Sequence, residues 1–96
     1  MKQKVILKEG DIFQSIMNNY YRIARCEDRG ELGLIVVDKW DDLHKTWLLE
    51  HSVFWVIKLS NNKFTTNIAV RKVSRLEAML KFGVKKCLRD NKSYNY

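Results

Sequence analysis

The sequence predicts an α+β fold: a small antiparallel β-barrel or curled sheet of five to six strands with one C-terminal amphipathic helix. Three observations carry this. Short β-branched and aromatic runs recur at roughly ten-residue spacing, separated by turn residues, as far as Val73. At Ser74 the apolar pattern changes from alternation to helical spacing, behind the capping-box sequence Ser74-Arg75-Leu76-Glu77. The length of 96 residues, with 46% apolar and 30% charged side chains, suits one domain over 1–96 and leaves no room for a second core. A chain this short buries enough surface only in a compact fold or as a homo-oligomer, so a homodimer stays open.

The strands follow in order. Residues 4–7 (KVIL) are β-like, and Lys8-Glu9-Gly10-Asp11 turns or bulges the chain before the apolar Ile12 and Phe13. Asn18-Asn19 is a turn signal, because Asn tolerates left-handed backbone. Residues 20–26 alternate and form a strand, and 27–31 reverse it around Gly30. Residues 32–37 (LGLIVV) are the most hydrophobic run and read as a central strand buried on both faces. An acidic turn follows at 38–45. Residues 46–49 begin another strand, 53–59 (VFWVIKL) form one by composition, and 60–63 reverse tightly. Residues 64–73 have β character, with Phe64, Ile68, Val70 and Val73 facing inward.

The helix is predicted over 75–89, with a frayed tail at 91–96. Leu76, Leu80, Gly83, Val84 and Cys87 cluster on one face, which should plug the sheet and bury Leu80. The opposite face collects Arg75, Ala78, Lys81, Phe82, Lys85, Lys86 and Arg89.

Charge is the strongest functional signal. From Lys63 to Tyr96 nine Lys or Arg face only Glu77 and Asp90, whereas the first 62 residues hold nine bases and nine acids. The formal charge of +7 is therefore confined to the last third, which points to an anionic partner. Cations on successive helical turns can track a phosphate backbone. Phe82 among them offers a base-stacking surface, or else is tucked against the sheet with the Lys stems. The nucleic-acid-binding candidates are Arg71, Lys72, Arg75, Lys81, Phe82, Lys85, Lys86 and Arg89. RNA is favoured over duplex DNA, since no helix-turn-helix is visible and an aromatic lies in the basic face. The alternative is a protein–protein inhibitor, in which the same surface covers an acidic patch of a host enzyme.

Trp47 and Trp55 lie within strands and read as core, while Trp40 in the acidic turn either anchors a partner or closes one end of the fold. Catalytic patterns are poor. Asp41, Asp42, His44 and Glu50 can be drawn as a metal cluster, but Asp-Asp is ordinary turn chemistry. A zinc set of Cys26, Cys87, His44 and His51 has no ligand-like spacing, and no Gly-rich phosphate loop is present. No enzymatic activity, metal or other cofactor is expected. Two isolated thiols and the lack of a membrane-length apolar run or signal-peptide core place the chain in the cytoplasm, away from membranes.

Lys8-Glu9-Gly10-Asp11-Ile12-Phe13 resembles the Gly-Asp-Ile entry of SH3-like barrels, including the toxin ribonucleases related to MazF and Kid. Those toxins carry an Arg-Pro pair leading into the second strand, and this chain has no Pro. The resemblance therefore implies the fold and leaves a His51-based ribonuclease without its expected pattern. The general texture also resembles the small early proteins of T-even-type bacteriophages, which would imply a host-directed inhibitor or regulator.

Overall fold

Tight polar reversals between apolar runs make nearly all of this chain an antiparallel meander. The computed structural model describes residues 4–60 and 62–87. Its strands are β1 (Ile12–Ser15), β2 (Tyr20–Arg29), β3 (Leu32–Asp41), β4 (Thr46–Ser60), β5 (Lys63–Thr65) and β6 (Ala69–Val73). They form one sheet in the order β5-β4-β3-β2-β1-β6, with every neighbouring pair antiparallel. The helix α1 (Arg75–Phe82) and a 3₁₀ turn (Val84–Lys86) follow.

The sheet curls because its two edges are joined by a short link. β5 and β6 are consecutive in sequence yet lie at opposite edges, with only residues 66–68 between them. Such a link reaches about 14 Å at most. A flat six-stranded sheet would separate its edges by about 24 Å. The expected α+β fold with an SH3-like barrel does not form, however: the described residues are mostly antiparallel sheet with one short helix, and the sheet does not close. Leu7 and Phe64 exchange backbone hydrogen bonds of 2.8 Å in each direction, so the N-terminal segment occupies the β5 edge that β6 would need. The sheet remains open between β5 and β6.

Curling creates an inner face, where Leu7, Phe13, Tyr21, Ile23, Ile35, Val37, Val56 and Phe64 form one buried cluster. Gly33 lets Phe64 approach, since a Cβ there would lie 2.4 Å from the ring. A second cluster joins Ile12, Trp40, Trp47, Val73, Ala78, Phe82 and Cys87. Ile12 and Phe13 are successive residues of β1, so the two clusters lie on opposite faces of the sheet. The helix therefore covers the back of the sheet and does not plug its interior. Central β3 is buried on both faces, as its composition predicts, with Ile35, Val36 and Val37 all enclosed.

The helix also turns the other way round from the sequence expectation. Phe82 is 5% exposed and packs its ring 4.7 Å from that of Trp40 and 5.0 Å from that of Trp47. Leu80 is 79% exposed, and Leu76 and Val84 also face solvent. An aromatic ring buries more surface than a leucine and gains from tilted ring contacts, so Phe82 takes the inward place. Ala78, one turn earlier, leaves room for the close approach. The predicted helix over 75–89 stops at Phe82, where Gly83 (φ +92°) turns the chain and donates its N–H to the Met79 carbonyl. The N-cap is as predicted: Ser74 Oγ accepts the Glu77 N–H at 3.1 Å.

Of the tryptophans, Trp47 is core as expected. Trp40 is core, while Trp55, expected inside, is 62% exposed. Residues 46–60 form one strand, since Glu50 at φ +49° absorbs the break in register between two expected strands. Residues 64–73 split into β5 and β6, and Val70, expected inward, faces solvent.

Phe82→Ala should lower unfolding free energy by about 3–5 kcal/mol. Leu80→Ala should stay within about 0.5 kcal/mol of the parent. Denaturant titration of both variants checks the helix orientation, and the reverse ranking would contradict it.

Candidate nucleic-acid interface

The basic end of the chain is held by a buried carboxylate. Asp38 is fully buried in β3, and its Oδ2 accepts from Arg22 Nε at 2.9 Å. Its Oδ1 accepts the Glu50 N–H, also at 2.9 Å, which fixes the bulge of β4. The Arg22 guanidinium lies 4.5 Å from the Trp47 ring centroid and donates from Nη1 to the Lys86 carbonyl at 3.2 Å. Trp47 Nε1 donates to the same carbonyl. Two donors anchored in the sheet thus fix the backbone of the 3₁₀ turn, while the side chains of Lys85 and Lys86 remain exposed.

Among the predicted site residues, Arg71 is already committed. Its Nη1 and Nη2 donate to the two Glu77 carboxylate oxygens at 2.6 Å each, and its Nε donates to Gln14 Oε1 at 2.7 Å. That hydrogen-bonded pairing lowers the Glu77 pKa and raises that of Arg71. Lys72 lies 3.3 Å from Asp11 Oδ2. Lys81 projects over the Tyr20 ring, 4.8 Å from its centroid, and Lys86 Nζ reaches the Lys45 carbonyl. Arg75 and Lys85 are exposed and make no ion pair with the described residues. Arg89 lies outside the described residues.

Phe82 is corrected from a stacking surface to a core residue. Tyr20, half-buried beneath Lys81 and edge-on to Phe82 at 5.6 Å, is the aromatic that reaches the basic face. Sequence reasoning missed it because Tyr20 belongs to β2 and meets the helix only in the folded chain. The exposed cations instead accompany exposed aliphatic residues, Leu76 and Leu80 one turn apart on α1 and Val84 on the 3₁₀ turn.

Of the drawn catalytic groups, Asp41, Asp42 and His44 bond within their own turn, and Glu50 bonds across to β2. His44 Nδ1 lies 2.7 Å from Asp41 Oδ2, Lys45 Nζ donates to Asp42 Oδ1 at 2.9 Å, and Glu50 pairs with Arg25. Hydrogen bonds from His44 and Lys45 lower the pKa values of Asp41 and Asp42 respectively. His51 Nδ1 meets Ser52 Oγ at 2.8 Å. Among the described residues no three His, Cys, Asp or Glu gather around a point where a metal ion could bind. No helix of the described residues is long and apolar enough to cross a membrane. Cys26 and Cys87 are unbridged, and burial, aided by Glu9 and Asp11, pushes the Cys26 thiol up to about 11.

Asp38→Ala should cost about 3–5 kcal/mol in denaturant unfolding, because Arg22 loses its buried counter-charge. At pH 8 the raised Cys26 thiol should alkylate about a hundredfold more slowly than an unperturbed cysteine, with the rate climbing until the pH passes about 11. A rate equal to that of a free thiol would show that Cys26 is not sheltered. No family model, curated protein or solved structure matches this chain.

Proposed function

We propose that this is a non-enzymatic binding protein of the cytoplasm, whose C-terminal basic face grips the phosphates of a nucleic acid, with RNA favoured. The carrying observation is the set of exposed cations Arg75 and Lys81 on α1 and Lys85 and Lys86 on the 3₁₀ turn, in the third of the chain that holds the whole charge of +7. Arg75 and Lys85 need not break an ion pair with the described residues to reach a phosphate. Arg71 and Lys72 contribute less, since Glu77 and Asp11 already hold them. Reading duplex DNA through the major groove is disfavoured. The exposed row of α1 is Leu76 and Leu80, which offer no donors or acceptors to base edges. Burial of Phe82 makes phosphate contact, and not stacking, the main source of affinity on this helix.

Reversing Arg75 and Lys85 to Glu should weaken RNA binding and flatten its salt dependence. Each lost contact should remove about 0.7 from the slope of log affinity against log salt for single strands, or about 0.9 for duplex. A doubly reversed protein that binds RNA and DNA like the parent would overturn the proposal.

The protein–inhibitor reading keeps one specific observation in its favour, the exposed aliphatic residues Leu76, Leu80 and Val84 that accompany the cations. Exposed aliphatic residues beside positive charge fit an acidic protein surface with an apolar centre, as on a host enzyme bound by a small phage regulator. Leu80→Asp should abolish that contact while sparing phosphate binding, so the two readings separate on one variant.

A further inference from the structure

The opening where the sheet fails to close is a groove of about 860 Å³. Lys4, Val5 and Ile6 line one side, and residues 69–72 of β6 line the other. It is separate from the exposed face of α1.

The groove presents an unused strand edge, and the ladder shows which groups it offers. Ser15 N–H bonds to the Asn19 carbonyl and Ile23 N–H to the Asp11 carbonyl, so the odd-numbered residues of β1 face β2. The even-numbered Ile12 and Gln14 therefore face β6, where their partners are Val73 and Arg71. Lys72, which lies between those partners, aims its N–H and C=O away from β1 and into the opening, and Val70 is the extra residue of a bulge opposite Gln14 and Ser15, with no partner in the β1 register. β6 is the last strand in the order, so no strand of the described chain meets them.

The side chains specify what would fit. Ile6, Ile16 and Val70 line the groove with half or more of their surface exposed. Lys4, Arg71 and Lys72 also line it, and no acidic residue does. Glu77 and Asp11 reach Arg71 and Lys72 from outside that lining.

We propose that the groove takes an extended acidic segment of a partner protein as a seventh strand, hydrogen-bonded antiparallel or parallel to the outer edge of β6. A peptide matches this edge better than a nucleic acid does. The outer edge at Lys72 presents a donor and an acceptor together, whereas a phosphodiester backbone supplies acceptors without the regular donors that the carbonyls require. Aliphatic residues of the segment would cover Val70 and Ile6, and its carboxylates would meet Lys4, whose charge no described acid pairs. β6 is five residues long, which sets the length of the segment read.

The test pans a displayed library of random linear peptides on the purified protein and titrates the consensus as a synthetic peptide. The consensus should combine Asp or Glu with aliphatic residues and lack Pro. N-methylating alternate amides of the peptide should weaken binding at least tenfold. Val70→Pro should do the same, since it removes an edge N–H at the bulge residue, which has no partner in the β1 register. Lys4→Glu should also weaken binding, while Lys85→Glu, which probes the basic helix, should leave it unchanged. Should Val70→Pro fail to fold by circular dichroism, the N-methylated peptide and Lys4→Glu decide the matter with the fold intact. No enriched consensus, or one indifferent to N-methylation, would overturn the proposal. Displacement of the peptide by poly(U) would overturn it in favour of nucleic acid in the groove. Self-association of the parent that Val70→Pro abolishes would overturn it in favour of a second copy of this chain.

Discussion

A single buried carboxylate ties together the parts of this structure that have no other reason to meet. Asp38 receives Arg22 from β2 and the Glu50 N–H from the bulge of β4, so three adjacent strands converge on it. Arg22 then reaches beyond the sheet to the Lys86 carbonyl, which Trp47 also holds. Burying an ion pair is unfavourable unless its remaining polar groups are satisfied. Here the Asp38 oxygens accept from both sides, and the guanidinium lies against an indole. The pair gives directional contacts to a surface that is otherwise aromatic and aliphatic. Hydrophobic packing of Phe82 against two tryptophans could tolerate sliding; the Lys86 carbonyl cannot slide without losing two donors.

The strand pattern was readable because it depends on neighbours in sequence. Gly30, the Asn18-Asn19 pair and the runs 20–26 and 32–37 announce turns and strands through local chemistry, and the Ser74 cap does the same for the helix. The orientation of the helix was not readable in this way. Its wheel offers Leu76 with Leu80, or Ala78 with Phe82, and the choice is made by Trp40 and Trp47 more than 30 residues away. Charge on the basic face was legible as composition. Which cations are spent was not, because Asp11 claims Lys72 only after β1 and β6 pair, and Glu77 claims Arg71 only once α1 folds back beside β6. Arg22 and Asp38 were hidden for a related reason. An alternating Arg in a strand and an Asp at the head of an acidic stretch both have the pattern of solvent-facing residues.

A 96-residue chain has little volume to enclose, and this one uses both faces of its sheet to do so. The inner face is lined by the curl itself, and the back face is covered only where α1 and the 3₁₀ turn lie. The remainder of the back face on β4 leaves Val53, Trp55, Ile57 and Leu59 exposed. Apolar surface outside the two clusters is therefore a consequence of architecture, with one short helix set against a six-stranded sheet.

The pairing of β1 with β6 has a consequence for the order in which the chain becomes native. Strands β2, β3 and β4 pair with their neighbours in sequence and can assemble as hairpins while synthesis continues. β1 cannot gain its second partner until Val73 has been made, and the back-face cluster waits for Phe82. Until then, the β1 edge and the indoles of Trp40 and Trp47 lie open on a nascent meander. Contacts of such long sequence separation are slow to form, because loop-closure entropy is lost before they contribute. The last quarter of the chain thus acts as a latch, and the interval before it engages is when this protein is most exposed to misassembly.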